Sequence, residues 1–229
     1  MELLILLGVL FVYNIVIHKY LHEKYHLLFA SSLAIVLIWW RVTQSDIPLG
    51  QIGIAMSTLL KGLVYGGTAY VAIYLTIALA VLTPHSRRFF RDNRAISLNI
   101  RQLLYKALVN IPIGTVLLEE VVFRGVMLTL LMQQTTNTWA IVISSIFFGM
   151  WHILPAIVNL KSNDQLRKMR YGALIVIIGT VCVTFFAGVG LSLLKVMSGS
   201  LLAPMMAHYA INSGGLIASW WLHRFKKQA

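Results

Sequence analysis

Residues 113–132 read IGTVLLEEVVFRGVMLTLLM. The stretch is apolar and long enough to cross a bilayer, which takes about 20 residues of helix. Yet it holds two adjacent glutamates, Glu119 and Glu120, in a chain with only seven acidic residues. A charge at bilayer depth costs about 2.5–3.5 kcal/mol on insertion scales, and two like charges side by side also repel. Such a pair must face protein or a wet cavity and have partners. Arg124 follows Glu120 by four residues, which puts both on one helix face. Glu119 is turned about 100° away, with no ion-pair partner nearby in sequence.

The rest of the chain has the same character. Of its 229 residues, 59% are hydrophobic and 11% charged, against about 25% charged in a soluble domain. The composition predicts an all-α, polytopic transmembrane bundle forming a single integral membrane domain over 1–229. The net charge of +12 fits basic loops beside anionic lipid, and no nucleic-acid partner is expected. The opening run MELLILLGVLFVYNIVIHKY has no basic leader and no small-residue cleavage site, so it reads as a first span rather than a signal peptide. Cys182, the only cysteine, lies in an apolar run and is expected to pack inertly.

Apolar runs place about seven helices, at 2–17, 26–41, 61–83, 110–132, 139–160, 171–194 and 200–223. Residues 47–60 (IPLGQIGIAMSTLL) read as interfacial, re-entrant or an eighth span. Residues 97–109, with Arg101 and Lys106 among leucines, predict a separate amphipathic surface helix before Pro112 starts the next span. Four connections (18–25, 84–101, 161–170 and 224–229) carry 14 of the 19 Lys and Arg: Lys19, Lys24, Arg87, Arg88, Arg91, Arg94, Arg101, Lys161, Arg167, Lys168, Arg170, Arg224, Lys226 and Lys227. Seven spans put all four on one side. The positive-inside rule then sets the amino terminus outside and the carboxyl terminus in the cytoplasm.

Polar residues recur at helical spacing in three of the spans. Glu119, Glu120 and Arg124 form the first set. FFGMWH places Phe148 four residues before His152, and HYAIN places His208 four before Asn212. Counting about 1.5 Å per residue puts Glu119, His152 and His208 at similar depth. A carboxylate beside a neutral imidazole can hold a water and take its proton. A second imidazole and a carboxamide can donate to an oxyanion. The same groups, one Glu and two His, are also adequate zinc ligands, and the spacing does not choose between base and metal ligand.

The runs EEVVFR, FGMWH and HYAIN match, in order, the motifs EExxxR, FxxxH and HxxxN. In these the chain resembles the CPBP intramembrane glutamic endopeptidases, a family that includes type II CAAX prenyl endopeptidases and bacterial proteins linked to bacteriocin immunity. The resemblance covers residues 112–215, the expected catalytic core, and looks prokaryotic, which implies a plasma-membrane location. It implies that Glu119 activates water, that His152 holds that water, and that His208 and Asn212 form the oxyanion site. Glu120, Arg124 and Phe148 would support them structurally. It implies no cofactor, with Zn²⁺ as the open alternative, and membrane-associated peptides or proteins as substrates.

Other readings are weaker. There is no HExxH, the aspartates Asp46, Asp92 and Asp164 fall in loops, and Ser198 and Ser200 before His208 suit helix packing better than catalysis. A non-catalytic scaffold of the same fold is the runner-up. A proton-coupled transporter lacks the matching halves such proteins show. His18, His22 and His26 repeat every four residues and could bind metal on a continuous helix. With Lys19 and Lys24 among them, a solvated or headgroup-facing stripe is the expectation.

Overall fold

In the computed structural model the described residues are 1–44, 47–90, 95, 97–161 and 171–225. Asp46, Arg91, Asp92, Arg94, Asp164, Arg167, Lys168, Arg170, Lys226 and Lys227 lie outside them, as do the side chains of Arg88 and Lys161. The described residues are mostly helical, with no strand among them. We number the helices α1 (Glu2–Lys19), α2 (His26–Gln44), the short α3 (Leu49–Ile52), α4 (Leu59–Leu82), α5 (100–132), α6 (Asn137–Trp151), α7 (Ile153–Lys161), α8 (Gly172–Ser198) and α9 (Leu202–Phe225).

The seven expected segments are helical, 139–160 as two helices with His152 at the turn between them. Among the described residues five stretches are long and apolar enough to cross a membrane: Glu2–Lys19, His26–Thr43, Leu49–Leu82, Asn137–Val158 and Gly172–Ser198. The outer surface carries large apolar side chains such as Leu79, Val183 and Phe186, each about two-thirds exposed (65%, 69% and 70%). The expected spans not among the five, in α5 and α9, carry the EExxxR and HxxxN residues. Cys182 is exposed on α8 rather than packed inside.

Helix α5 is the centre of the bundle. From Val121 to Leu131 every residue is buried, packed by Leu6 and Leu10 of α1, Ala30, Ala34 and Leu37 of α2, and Ala140 and Phe148 of α6. Its hydrogen bonding widens to i→i+5 over Lys106–Val116 and again over Val121–Met127. Widened turns are rare and gather at functional sites. Here they flank Leu117–Glu120, the turn bearing both carboxylates.

The structure corrects the reading of 97–109. No separate surface helix precedes the span. A capping box at Asn99 and Gln102, with both reciprocal bonds at 2.9 Å, starts a helix that runs on through Pro112. Proline removes one N–H and crowds the carbonyl four residues back; the widened ladder around it absorbs that misfit.

Residues 47–58 form α3 and a tight turn that tucks against protein. Ile52 is fully buried, Lys195 Nζ donates to Gln51 O at 3.3 Å, and Leu201 N donates to Gly53 O at 2.9 Å. Gly53 is left-handed (φ 98°) at the end of α3, a conformation that favours glycine.

Lipid is as apolar as a leucine core, so close approach rather than hydrophobicity holds such helices together. Gly62 and Gly66 let α4 meet α9; a Cβ on Gly66 would lie 2.9 Å from Ala203 Cα. At one end of the bundle Arg41 bonds Glu2 and Gln133, each at 2.8 Å. The start of α1, the end of α2 and the turn after α5 are therefore together, as alternating spans require.

Candidate active site

Three helices bring the motif residues to one place. Glu119 and Glu120 project from α5 and are 7% and 0% exposed. Glu120 Oε1 accepts from Arg124 Nη1 at 2.9 Å, the pair expected from the spacing, and also from His208 Nδ1 at 2.7 Å. Glu120 thus does more than orient its own helix: it holds the imidazole of α9.

Arg124 is fully buried, and its guanidinium lies 4.1 Å from the Phe148 ring centroid. Cation–π contacts are worth about 2 kcal/mol when desolvated. The Phe148 ring meets His152 and His208 edge-on, with centroids 4.7 and 5.9 Å apart, while its backbone carbonyl takes a bond from His152 Nδ1 at 2.7 Å. One phenylalanine therefore touches the arginine and both imidazoles.

Glu119 Oε1 accepts from Trp151 Nε1 at 3.1 Å. Its Oε2 is shielded and has no hydrogen-bond partner among the described residues, and lies 3.9 Å from His152 Nε2 and 3.8 Å from His208 Nε2. The chemistry of the partners fixes the protons. A carbonyl only accepts, so His152 carries its proton on Nδ1, and in the neutral ring Nε2 is a lone pair. Glu120 Oε1 is the acceptor of the Arg124 bond, and His208 meets the same oxygen as a second donor, through Nδ1. Asn212 lines the same cavity one turn along α9.

The cavity measures about 650 Å³. Ile17, Leu118, Ile211 and Leu216 give it apolar wall; Lys106, Asn110 and Thr115 of α5 run polar groups along it. His18 and His26 line it too, which corrects the expected headgroup-facing stripe. Helix α1 stops at Lys19, so the three histidines do not share one helix, and only His22 is exposed. Among the described residues no group of three or more His, Cys, Asp and Glu is placed to ligate one ion. Ser198 and Ser200 bond backbone at the α8–α9 turn.

Sequence reading missed Trp151 and Tyr13. The Tyr13 ring stacks on the Trp151 indole, with centroids 6.1 Å apart and an 11° tilt, and neighbouring Asn14 donates to Trp151 O at 3.1 Å. The available signal was the indole N–H itself, which seeks an acceptor when buried.

Fold and site together describe a helical membrane bundle with a buried carboxylate–imidazole cluster beside a cavity. Residues 101–214 match the model of the type II CAAX prenyl endopeptidase Rce1-like family, and the chain belongs to that family. The match contains Glu119, Glu120, Arg124, Phe148, His152, His208 and Asn212, and leaves out α1, α2 and α4. No curated protein and no solved structure gives a significant match to the chain.

Proposed function

We propose that the protein is an intramembrane endopeptidase that hydrolyses membrane-associated peptides with a water activated by Glu119. What carries this reading is the meeting of Glu119 Oε2 with two imidazole Nε2 atoms within 4 Å. A carboxylate oxygen and a lone-pair Nε2 are both acceptors. A water between them donates one hydrogen to each, with its own lone pair aimed at the substrate carbonyl.

Glu119 takes a proton from this water as its oxygen bonds to the carbonyl carbon. The carbonyl oxygen gains the displaced electron pair. His208, anchored to Glu120 through Nδ1, donates to that oxyanion through a proton on Nε2, and Asn212 donates its amide. Collapse of the tetrahedral adduct breaks the C–N bond, and Glu119 returns the proton to the leaving amine. The products are a carboxyl group and an amine, so atoms and protons balance without a further reactant.

We place the amino terminus outside and the carboxyl terminus in the cytoplasm of a prokaryotic plasma membrane, on the charge asymmetry of the loops. The test is a comparison of membrane-peptide profiles between cells carrying the wild type and Glu119→Gln. Fragments that vanish with the variant support hydrolysis. Identical profiles, with the biological function intact, favour a scaffold.

A further inference from the structure

We infer that Tyr13 of α1 supplies a further hydrogen-bond donor to the reacting centre, binding the carbonyl oxygen of the peptide under attack. The inference rests on the hydrolase reading above and extends it to a helix outside the matched residues 101–214.

Tyr13 lines the cavity together with Glu119, Trp151 and His152. Its ring stacks on the very indole whose N–H is given to Glu119 Oε1. Its hydroxyl is buried and has no hydrogen-bond partner among the described residues, as is true of Glu119 Oε2. A donor and an acceptor are thus both held unsatisfied in the wall of one cavity. Leaving such a group buried and unpaired costs about 1–3 kcal/mol. That cost is recovered when a peptide presents a carbonyl oxygen to the phenol and a water reaches the carboxylate.

The donor inventory points the same way. Trp151 has spent its N–H on Glu119 and His152 its Nδ1–H on Phe148 O, so beside His208 Nε2 and the Asn212 amide, both on α9, the wall formed by Tyr13, Trp151 and His152 has only the phenol left to give. A rigid phenol fixed by stacking has little freedom to lose when it binds, which is the economy of a preorganised donor. Asn14 anchors the same turn of α1 to Trp151 O, so the position of Tyr13 is tied to that of the indole.

The experiment compares wild type, Tyr13→Phe and Glu119→Gln, purified in detergent. Each is incubated with a mixture of short membrane-partitioning peptides, prenylated and unprenylated, and cleavage is followed by mass spectrometry. Phenylalanine keeps the ring and its stack and removes the unpaired hydroxyl, so an unchanged or raised thermal midpoint is expected. Tyr13→Phe should lower kcat about 100- to 1,000-fold, the scale of a lost oxyanion donor, with KM within about twofold. Wild-type kcat in Tyr13→Phe, beside an inactive Glu119→Gln, overturns the role of Tyr13 and leaves the hydrolase reading standing. No cleavage by the wild type, or full cleavage by Glu119→Gln, overturns both.

Discussion

The carboxylate of Glu120 and the imidazole of His208 are joined at 2.7 Å, across 88 positions of sequence, by an atom that also receives Arg124. The bond couples the ion pair of α5 to the orientation of the α9 histidine. It also sets which nitrogen of His208 faces Glu119. Removing Glu120 therefore strikes stability and chemistry together.

Glu120→Ala leaves Arg124 buried without its carboxylate, and loss of one partner from a buried pair costs about 3–5 kcal/mol. We expect a large fall in thermal midpoint and poor recovery of monodisperse protein. Arg124→Lys should not rescue, because a compact ammonium cannot both reach Glu120 and lie flat on Phe148. Thermal unfolding in detergent, with size-exclusion profiles, reads both.

Glu119→Gln should behave in the opposite way. The amide is isosteric, Glu119 pairs with no Lys or Arg among the described residues, and the fold should persist. General-base catalysis is worth about 10²–10⁴-fold, so peptide cleavage should fall by at least about 100-fold. Thermal midpoint and turnover measured on one preparation separate the two effects; a Gln variant with wild-type turnover would falsify the base assignment.

Trp151→Phe removes the N–H on Glu119 Oε1 while keeping an aromatic ring against Tyr13. Hydrogen bonds to charged groups are worth about 1.5–3 kcal/mol. We expect kcat to drop roughly 10- to 100-fold, with a smaller change in stability. Kinetics at saturating peptide test this.

Metal dependence has a direct test. Glutamate-activated hydrolysis needs no ion, so wild-type cleavage should survive dialysis against a strong chelator, and elemental analysis of active protein should find no stoichiometric zinc. Activity lost to chelator and restored by Zn²⁺ would reassign Glu119 and the two histidines as ligands.

Orientation can be checked because Cys182 is the single native cysteine. In a Cys182→Ser background, Gln134→Cys should react with an impermeant maleimide added outside intact cells. Lys24→Cys should react only after permeabilisation. The reverse pattern inverts the proposed topology.

The helices and the convergence of the motif residues were legible in the sequence, because charge in an apolar run is costly enough to demand a partner. Spacing alone found Glu120 with Arg124. It could not find Glu120 with His208, since a bond between distant helices leaves no trace in local periodicity. The single helix 100–132 was missed for a related reason. Proline normally marks a helix start, and nothing in residues 106–116 announces that the ladder widens to accommodate it. His18 and His26 looked like a solvated stripe because their neighbours Lys19 and Lys24 are charged. The break after Lys19 is what lets the histidines turn inward.

The burden of polar groups on α5 has a consequence for biogenesis. A helix carrying Glu119, Glu120 and Arg124 cannot partition into lipid by its own apolarity, since each ionised group opposes transfer by about 2.5–3.5 kcal/mol. Helices α1, α2 and α4 emerge from the ribosome first; α2 packs directly on α5, and α1 shares its apolar core. The amino-terminal third of the chain therefore serves as a receptor for the helix made after it. Truncating that third should leave the motif segment stranded at the translocon rather than merely less active.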